Sequence, residues 1–244
     1  MRSFLKTADL GVSVEGLFLP VKLRRNAQAR KMILRVDSTT GELKLTAPKH
    51  VSVRELQKFL DENQNWIAAE KAKVADMPEL GPGDVFPLLG HRVVIHHTGV
   101  PPRKVSLADG QLTVGGPIDQ APARLVRWLR AEAKRILMDD AGEFAHQLGV
   151  SFKRVSIGDM KSRWGSCSST GTLRFNWRLI MAPVDVRRYV AAHEVCHLLE
   201  MNHSPQFWAH VSSLDSRYKI NRKWLREHGV DLMRLRFKNH QTDG

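Results

Sequence analysis

The segment His193-Glu194-Val195-Cys196-His197 constrains the fold of this chain more than any other part of the sequence. On an α-helix, two histidines four residues apart lie on one face, with Cβ atoms about 5–6 Å apart. At this separation both imidazoles reach one metal ion with bonds of about 2.0–2.1 Å, as zinc requires. Glu194 lies about 100° further around the helix, so it flanks the ion rather than binding it. The segment therefore predicts a helix that holds a metal ion, with Glu194 as general base for a metal-activated water.

A catalytic zinc site needs a third protein ligand, and His203 is the candidate. It precedes Ser204-Pro205, a pair that is typical of a helix start. A turn between two helices is therefore predicted there, and this turn brings His203 back over the first helix. Asn202 is the expected turning point, because asparagine tolerates left-handed backbone. We expect one zinc ion per chain, although iron and cobalt also suit imidazole ligands.

The cysteine count limits both the kind of metal site and the class of protein. The chain has 244 residues but only 2 cysteines, too few for a zinc site with four thiolates or for a disulfide-rich secreted scaffold. It has no apolar run as long as a transmembrane helix, and acidic residues near the N-terminus argue against a signal peptide. The sequence therefore predicts a cytoplasmic protein with no membrane partner.

Periodicity divides the chain into a β-rich beginning and a more helical remainder. Gly115-Gly116-Pro117 marks the predicted boundary, since a long helical pattern follows over residues 120–148. We therefore expect a β-rich region over residues 1–117 and a second domain over 118–244. Within the second domain, strands are predicted near 152–157 and 172–179, and helices over 185–200, from Ser204 onward and near 219–228.

Several separated motifs carry a resemblance to one protein family. They are His193 to Leu198, Asn202-His203-Ser204, Phe207-Trp208, Trp164 to Cys167, and Asn176 to Leu179. Over about residues 25–225 the chain resembles the YgjP-like zinc metallopeptidases, which are related to the SprT-like and Wss-type peptidases. The resemblance implies an α+β fold with a zincin-like catalytic domain, and zinc held by His193, His197 and His203. It also implies a hydrolase that acts on peptides or proteins.

The segment before the metal helix is the expected binding site for an extended substrate. The strand with Arg174, Phe175 and Asn176 is interpreted as an exposed edge on which a peptide pairs through main-chain hydrogen bonds. An ordinary strand with buried side chains has the same pattern. A further donor is expected to stabilise the oxyanion of peptide hydrolysis. The sequence does not choose among its three candidates, which are Tyr218, His210 and Arg217.

The positive charge of the chain indicates a second partner. Lys and Arg number 38 against 25 Asp and Glu, a formal net charge of +13. The basic segment 217–238 suits either a solvated helix face or a nucleic-acid patch formed by Lys219, Arg222, Lys223 and Arg226. Two alternatives to a peptidase therefore stay open. One is a nucleic-acid-associated module with silent or structural zinc, and the other is a metal-dependent hydrolase of nucleotides or other phosphate esters.

Overall fold

A computed structural model gives the fold over residues 10–37, 41–75 and 79–238. It divides the chain into two compact units, Met1–Pro78 and Glu79–Gly244, and each has its own apolar core among the described residues. This division differs from the boundary predicted at residue 117. The strands between residues 79 and 114 belong to the second unit because they share its apolar core with the helices that follow. The expected mixed α+β class is confirmed.

The first unit is a mixed sheet with two helices. Its elements in chain order are β1 (Gly11–Val14), β2 (Leu17–Arg25), β3 (Ile33–Val36), β4 (Leu43–Ala47), α1 (Val53–Glu62) and α2 (Gln64–Ala75). The strands lie in the order β1-β2-β4-β3. Apolar residues alternate along β4, and its buried face forms one core with Leu56 and Leu60 of α1 and Ile67 of α2.

The second unit contains the remaining sheets and helices. Its strands are β5 (Glu79–Leu80), β6 (Val85–Leu88), β7 (His91–His97), β8 (Val105–Ala108), β9 (Gln111–Val114), β10 (Arg154–Gly158), β11 (Gly165–Cys167), β12 (Thr172–Asn176) and β13 (Arg236–Phe237). They form the sheets β6-β7-β9-β8 and β10-β12-β11 and the pair β5-β13. The helices are α3 (Ala121–Gln147), α4 (Val184–Cys196), α5 (Pro205–Leu214) and α6 (Tyr218–Arg234). Over the described residues, no helix is both long and apolar enough to cross a membrane.

Helix α3 supports α4, the helix that carries His193 and Glu194. Every fourth residue on one face of α3 is buried, namely Leu125, Leu129, Ala133, Leu137 and Ala141. Arg187 of α4 donates from Nε to Asp140 Oδ2 of α3 at 2.7 Å, and from a terminal nitrogen to Oδ1 at 3.3 Å. Both side chains are less than one tenth exposed, so this two-point contact fixes the rotation of α4 against α3.

The predicted elements of the second unit are present with shifted ends. The pattern over 120–148 corresponds to α3, whereas the helix expected over 185–200 ends at Cys196 and the helix expected near 219–228 continues to Arg234. The strand expected over 172–179 ends at Asn176. There the Asn176 side chain accepts a hydrogen bond from the Arg178 amide and starts a 3₁₀ turn over Trp177–Met181.

Candidate metal centre

His193 and His197 lie one turn apart at the C-terminal end of α4. The helix begins after Pro183 and ends at Cys196, and His197 follows as its cap in helical backbone conformation. The centroids of the two imidazole rings are therefore only 5.0 Å apart. His197 is buried and His193 is half-buried, so both rings stand at the edge of the core rather than in open solvent.

After α4 the chain reverses and returns His203 to the same place. The amides of Leu199 and Glu200 both donate to the Cys196 carbonyl, at 3.1 and 3.0 Å, which tightens the end of the helix. Ser204 then starts α5, because its hydroxyl accepts from the Phe207 amide at 3.1 Å. His203 is held between these two hydrogen-bonded ends.

The expectation of a left-handed turn at Asn202 is wrong. Over the described residues, positive φ outside glycine occurs at Glu15, Leu89 and Asp109. The reversal is made instead by the successive hydrogen bonds that close the end of α4, so no residue there has to enter the left-handed region.

The three histidines each direct a ring nitrogen toward one point. One nitrogen from each ring lies within 4.8 Å of the other two, and the Nε2 atoms of His193 and His203 are 3.1 Å apart. His197 donates from Nδ1 to the Glu200 carbonyl at 2.9 Å, so its Nε2 keeps a free lone pair. His193 Nδ1 is buried and has no hydrogen-bond partner among the described residues. Converging imidazole nitrogens of this kind are suited to a single metal cation.

Two aromatic residues at the start of α5 pack against these rings. Phe207 is fully buried and stacks on His197, with 4.6 Å between ring centroids. Trp208 stacks on His203 at 5.7 Å. These contacts restrict rotation of the imidazoles and shield one side of the site from water.

Burial keeps His193 and His203 free of protons that a metal ion would have to displace. It lowers the pKa of His193 to about 3, and the neighbouring His197, His203 and Arg222 lower it further. Burial also lowers the pKa of His203, again with contributions from His197 and Arg222. At neutral pH both rings are therefore unprotonated, as metal binding requires.

Glu194 is buried beside the three histidines. Strand β11 passes so close that a Cβ atom on Gly165 would lie 2.6 Å from Glu194 Cδ, nearer than real atoms approach. Burial raises the pKa of Glu194 to about 8, and Arg163 opposes this shift. The carboxyl group lines a cavity of about 220 Å³ together with His193 and Tyr189. A carboxyl group with a pKa near neutrality that faces a cavity can exchange a proton with a molecule bound there.

A family model described as the YgjP-like metallopeptidase domain matches residues 30–228, which confirms the resemblance inferred from the motifs. The chain belongs to the YgjP-like metallopeptidase family. Membership implies a metal ion and a peptide or protein substrate, and the three histidines are residues that can hold such an ion.

Other comparisons add little to this YgjP-like assignment. A matching solved structure is the crystal structure of the metallopeptidase zymogen of Pyrococcus abyssi abylysin, at 21% identity and with a TM-score of 0.34. The match covers 37% of this chain and 93% of that chain. No curated protein matches the chain.

In this YgjP-like domain the strand predicted to bind substrate is not an edge strand. Strand β12 lies in the centre of its sheet, parallel to β10 on one side and antiparallel to β11 on the other. Its main chain is therefore already paired, and the expected exposed edge at Arg174, Phe175 and Asn176 is wrong. Phe175 and Asn176 are fully buried, and Asn176 donates to the Met160 carbonyl at 2.7 Å. Arg174 is the one exposed side chain of the three.

Two of the three residues predicted as oxyanion donors contact other groups. Tyr218 stacks on Trp208 with 5.4 Å between ring centroids, and Arg217 pairs with Asp185 at 3.2 Å on the surface. His210 is half-buried on α5, one turn before Leu214. A role for any of them in hydrolysis stays a prediction.

The site predicted from the sequence includes neither Tyr189 nor Arg163, which line the cavity with Glu194. Tyr189 lies one turn before His193, so the spacing that identifies the histidines also places it on their face. Its ring centroid is 5.9 Å from that of His193. Burial raises the pKa of Tyr189 to about 12, so its phenol stays protonated and can donate a hydrogen bond. No local signal marks Arg163, because only the sheet brings its loop to α4.

The four basic residues predicted to contact phosphates form one face of α6. Lys219, Arg222, Lys223 and Arg226 are exposed, and their spacing places them on adjacent turns of the helix. The guanidinium of Arg222 lies 4.9 Å from the ring centre of Trp208, which itself packs on His203. Nucleic-acid binding by this face stays a prediction.

Proposed function

We propose that this chain is a zinc-dependent peptidase in which Glu194 is the general base. The observation that carries the proposal is the convergence of nitrogens from His193, His197 and His203 beside a buried carboxyl group. Three protein ligands and one open position characterise catalytic zinc sites, whereas structural sites have four protein ligands. Family membership supports the reaction class.

The donor set favours zinc as the resident metal. All three donors are imidazole nitrogens, and the ligand atom of His197 is fixed by its hydrogen bond to the Glu200 carbonyl. Zinc held in this way supplies a Lewis acid that polarises a peptide carbonyl and makes water a stronger acid.

Glu194 moves the protons. Its carboxylate accepts a proton from the attacking water at Oε1 or Oε2 and then passes it to the leaving amine. Burial favours this second step, because it disfavours the charged carboxylate and so helps the side chain hold the proton between the two transfers. The close approach of Gly165 keeps the carboxyl group in place.

Substrate alignment is assigned to β11 and Tyr189. In the described sheet β11 is paired with β12 on one side only, so its outer edge offers main-chain groups to an extended peptide beside Glu194. The protonated phenol of Tyr189 lies in the wall of the same cavity and donates to the developing oxyanion. With this assignment the metal-binding helix α4 and the substrate-binding edge strand β11 have the roles that the corresponding helix and edge strand have in zincins.

The test is to measure metal content and hydrolysis in the same preparations of wild type and Glu194→Gln. The substitution keeps the shape of the side chain but removes its basicity. We expect full zinc binding and a loss of peptide hydrolysis of about 100-fold or more. Full activity in this variant would remove Glu194 as the base. Assays with nucleoside triphosphates and other phosphate esters on the same wild-type protein test the alternative hydrolase.

A further inference from the structure

A second cavity of about 690 Å³ adjoins the metal centre. It shares Trp164, Tyr189 and Leu225 with the small cavity that contains His193 and Glu194. The two cavities are therefore neighbours that contact the same three side chains. The volume is in the range of pockets that hold small ligands or a few side chains of a peptide.

The wall of this larger cavity is positively charged. Lys219, Arg222, Lys223 and Arg226 of α6 line it, and none of the described residues that line it is acidic. Lys223 has a carboxylate neighbour in Glu227, but their 3.9 Å contact is solvent-exposed and therefore weak.

This arrangement of charges costs stability when nothing is bound. The four side chains occupy neighbouring turns on one helix face, where like charges three or four residues apart repel one another. An anion in the cavity removes this repulsion and gains several charge-assisted hydrogen bonds. The face thus has the properties of a binding surface for negative groups.

We propose that this cavity binds the carboxylate side chains of an acidic peptide whose scissile bond lies at the metal centre. This inference rests on the proposed peptidase function. The shared wall favours a peptide over a nucleic acid, because the ligand of the basic cavity is then continuous with the molecule being cleaved. The basic side chains also line a concavity of limited volume, whereas a nucleic-acid duplex requires a broad surface that follows its backbone.

The test compares a double variant of the cavity with a control of equal charge change. Lys219→Gln/Arg226→Gln removes two cations from the cavity wall, and Arg127→Gln/Lys134→Gln removes two exposed cations from α3. Each pair is introduced into zinc-loaded Glu194→Gln protein so that peptides stay intact. Fluorescence anisotropy then measures binding of labelled oligoglutamate and oligoglutamine peptides at low and high salt.

We expect oligoglutamate to bind more tightly than oligoglutamine, and this preference to weaken as salt rises. The cavity variant should bind oligoglutamate about five- to tenfold more weakly, while the control changes affinity by less than about twofold. In the wild-type background, the cavity variant should also lose preference, in kcat/KM, for substrates with Glu over matched substrates with Gln.

Equal binding of the two peptides, or equal losses in both double variants, would overturn the proposal. A third result would also overturn it: oligoglutamate does not bind, whereas a single-stranded oligonucleotide binds and loses affinity only in the cavity variant. The cavity would then be a nucleic-acid site. If oligoglutamate binds through the cavity but wild type cleaves no peptide, the carboxylate site stands and the proposed peptidase function fails.

Discussion

The absence of a side chain at Gly165 determines where the Glu194 carboxyl group lies. Strand β11 packs on this carboxyl group at a distance that leaves no room for a methyl group. The glycine is needed here for close approach, since its φ is not in the left-handed range. A residue outside the sequence-predicted site thus controls the orientation of the residue that performs the chemistry.

We predict that Gly165→Ala abolishes most hydrolysis while zinc binding persists. The three atoms nearest to the new methyl group all belong to the Glu194 side chain, so the substitution displaces the carboxyl group, and overpacking costs about 1–3 kcal/mol of stability. Gly142→Ala is the matched control, because nothing lies within 4 Å of its added Cβ. This control should keep its activity, and its free energy of unfolding should rise by about 0.4–1 kcal/mol. Hydrolysis rates, bound zinc and thermal unfolding are measured for both variants. Full activity of Gly165→Ala would contradict the account.

Cys167 gives a second prediction at the residue scale. Burial raises the pKa of its thiol to about 11, and the nearby charge of Glu194 raises it further. In metal-free protein, alkylation of Cys167 by iodoacetamide should therefore be slow at neutral pH and accelerate toward about pH 11, because the thiolate is the nucleophile. In Glu194→Gln the midpoint should move to lower pH, since a negative charge that disfavours the thiolate is removed. Mass spectrometry of the modified peptide measures both profiles, and an unchanged midpoint would place Glu194 away from this thiol.

At the scale of elements, the short connection between α4 and α5 determines the position of His203. Its two ends are fixed by local hydrogen bonds, at the Cys196 carbonyl and at the Ser204 hydroxyl. Loss of the hydrogen bonds at either end therefore lets the segment that carries His203 move.

We predict that Ser204→Ala weakens zinc binding as well as lowering stability. Loss of this N-cap costs about 1 kcal/mol, and His203 then samples positions away from His193. Ser213→Ala, on the exposed face of the same helix, is the control and should change neither property appreciably. Competition with a zinc chelator measures the affinity, and equal affinities in the two variants would count against a role for the cap.

The sequence predicts the helices of the site better than its sheet. The spacing of His193 and His197 and the Ser204-Pro205 start are local signals, and α4 and α5 are found where these signals place them. The central position of β12 is not a local property. It depends on pairing with β10 and β11, whose side-chain patterns do not specify which strand occupies the middle.

At the scale of the whole molecule, the residues of the metal centre all lie in one of the two units. The three histidines and Glu194 belong to the unit that begins at Glu79, and the apolar cluster beneath them uses residues of that unit alone. This division differs from the boundary predicted at residue 117. Strands β6 to β9 resemble the first unit in pattern, but they bury their apolar side chains with α3.

We predict that a fragment of residues 79–244 folds and binds zinc without the first unit. A unit with its own core can in general fold alone. Circular dichroism with thermal unfolding, and zinc titration of the fragment and full chain, test this. A fragment that is unfolded with zinc present would show that the core of the second unit is insufficient.

The central claim is that His193, His197 and His203 hold one metal ion, and bound metal per chain tests it most directly. Elemental analysis should compare wild type, His203→Ala and, as a control, His210→Ala, since His210 is a histidine of α5 outside the three-histidine cluster. We expect about one zinc ion per chain in wild type and in His210→Ala. His203→Ala should retain well below this amount. Equal metal content in His203→Ala and wild type would contradict the account.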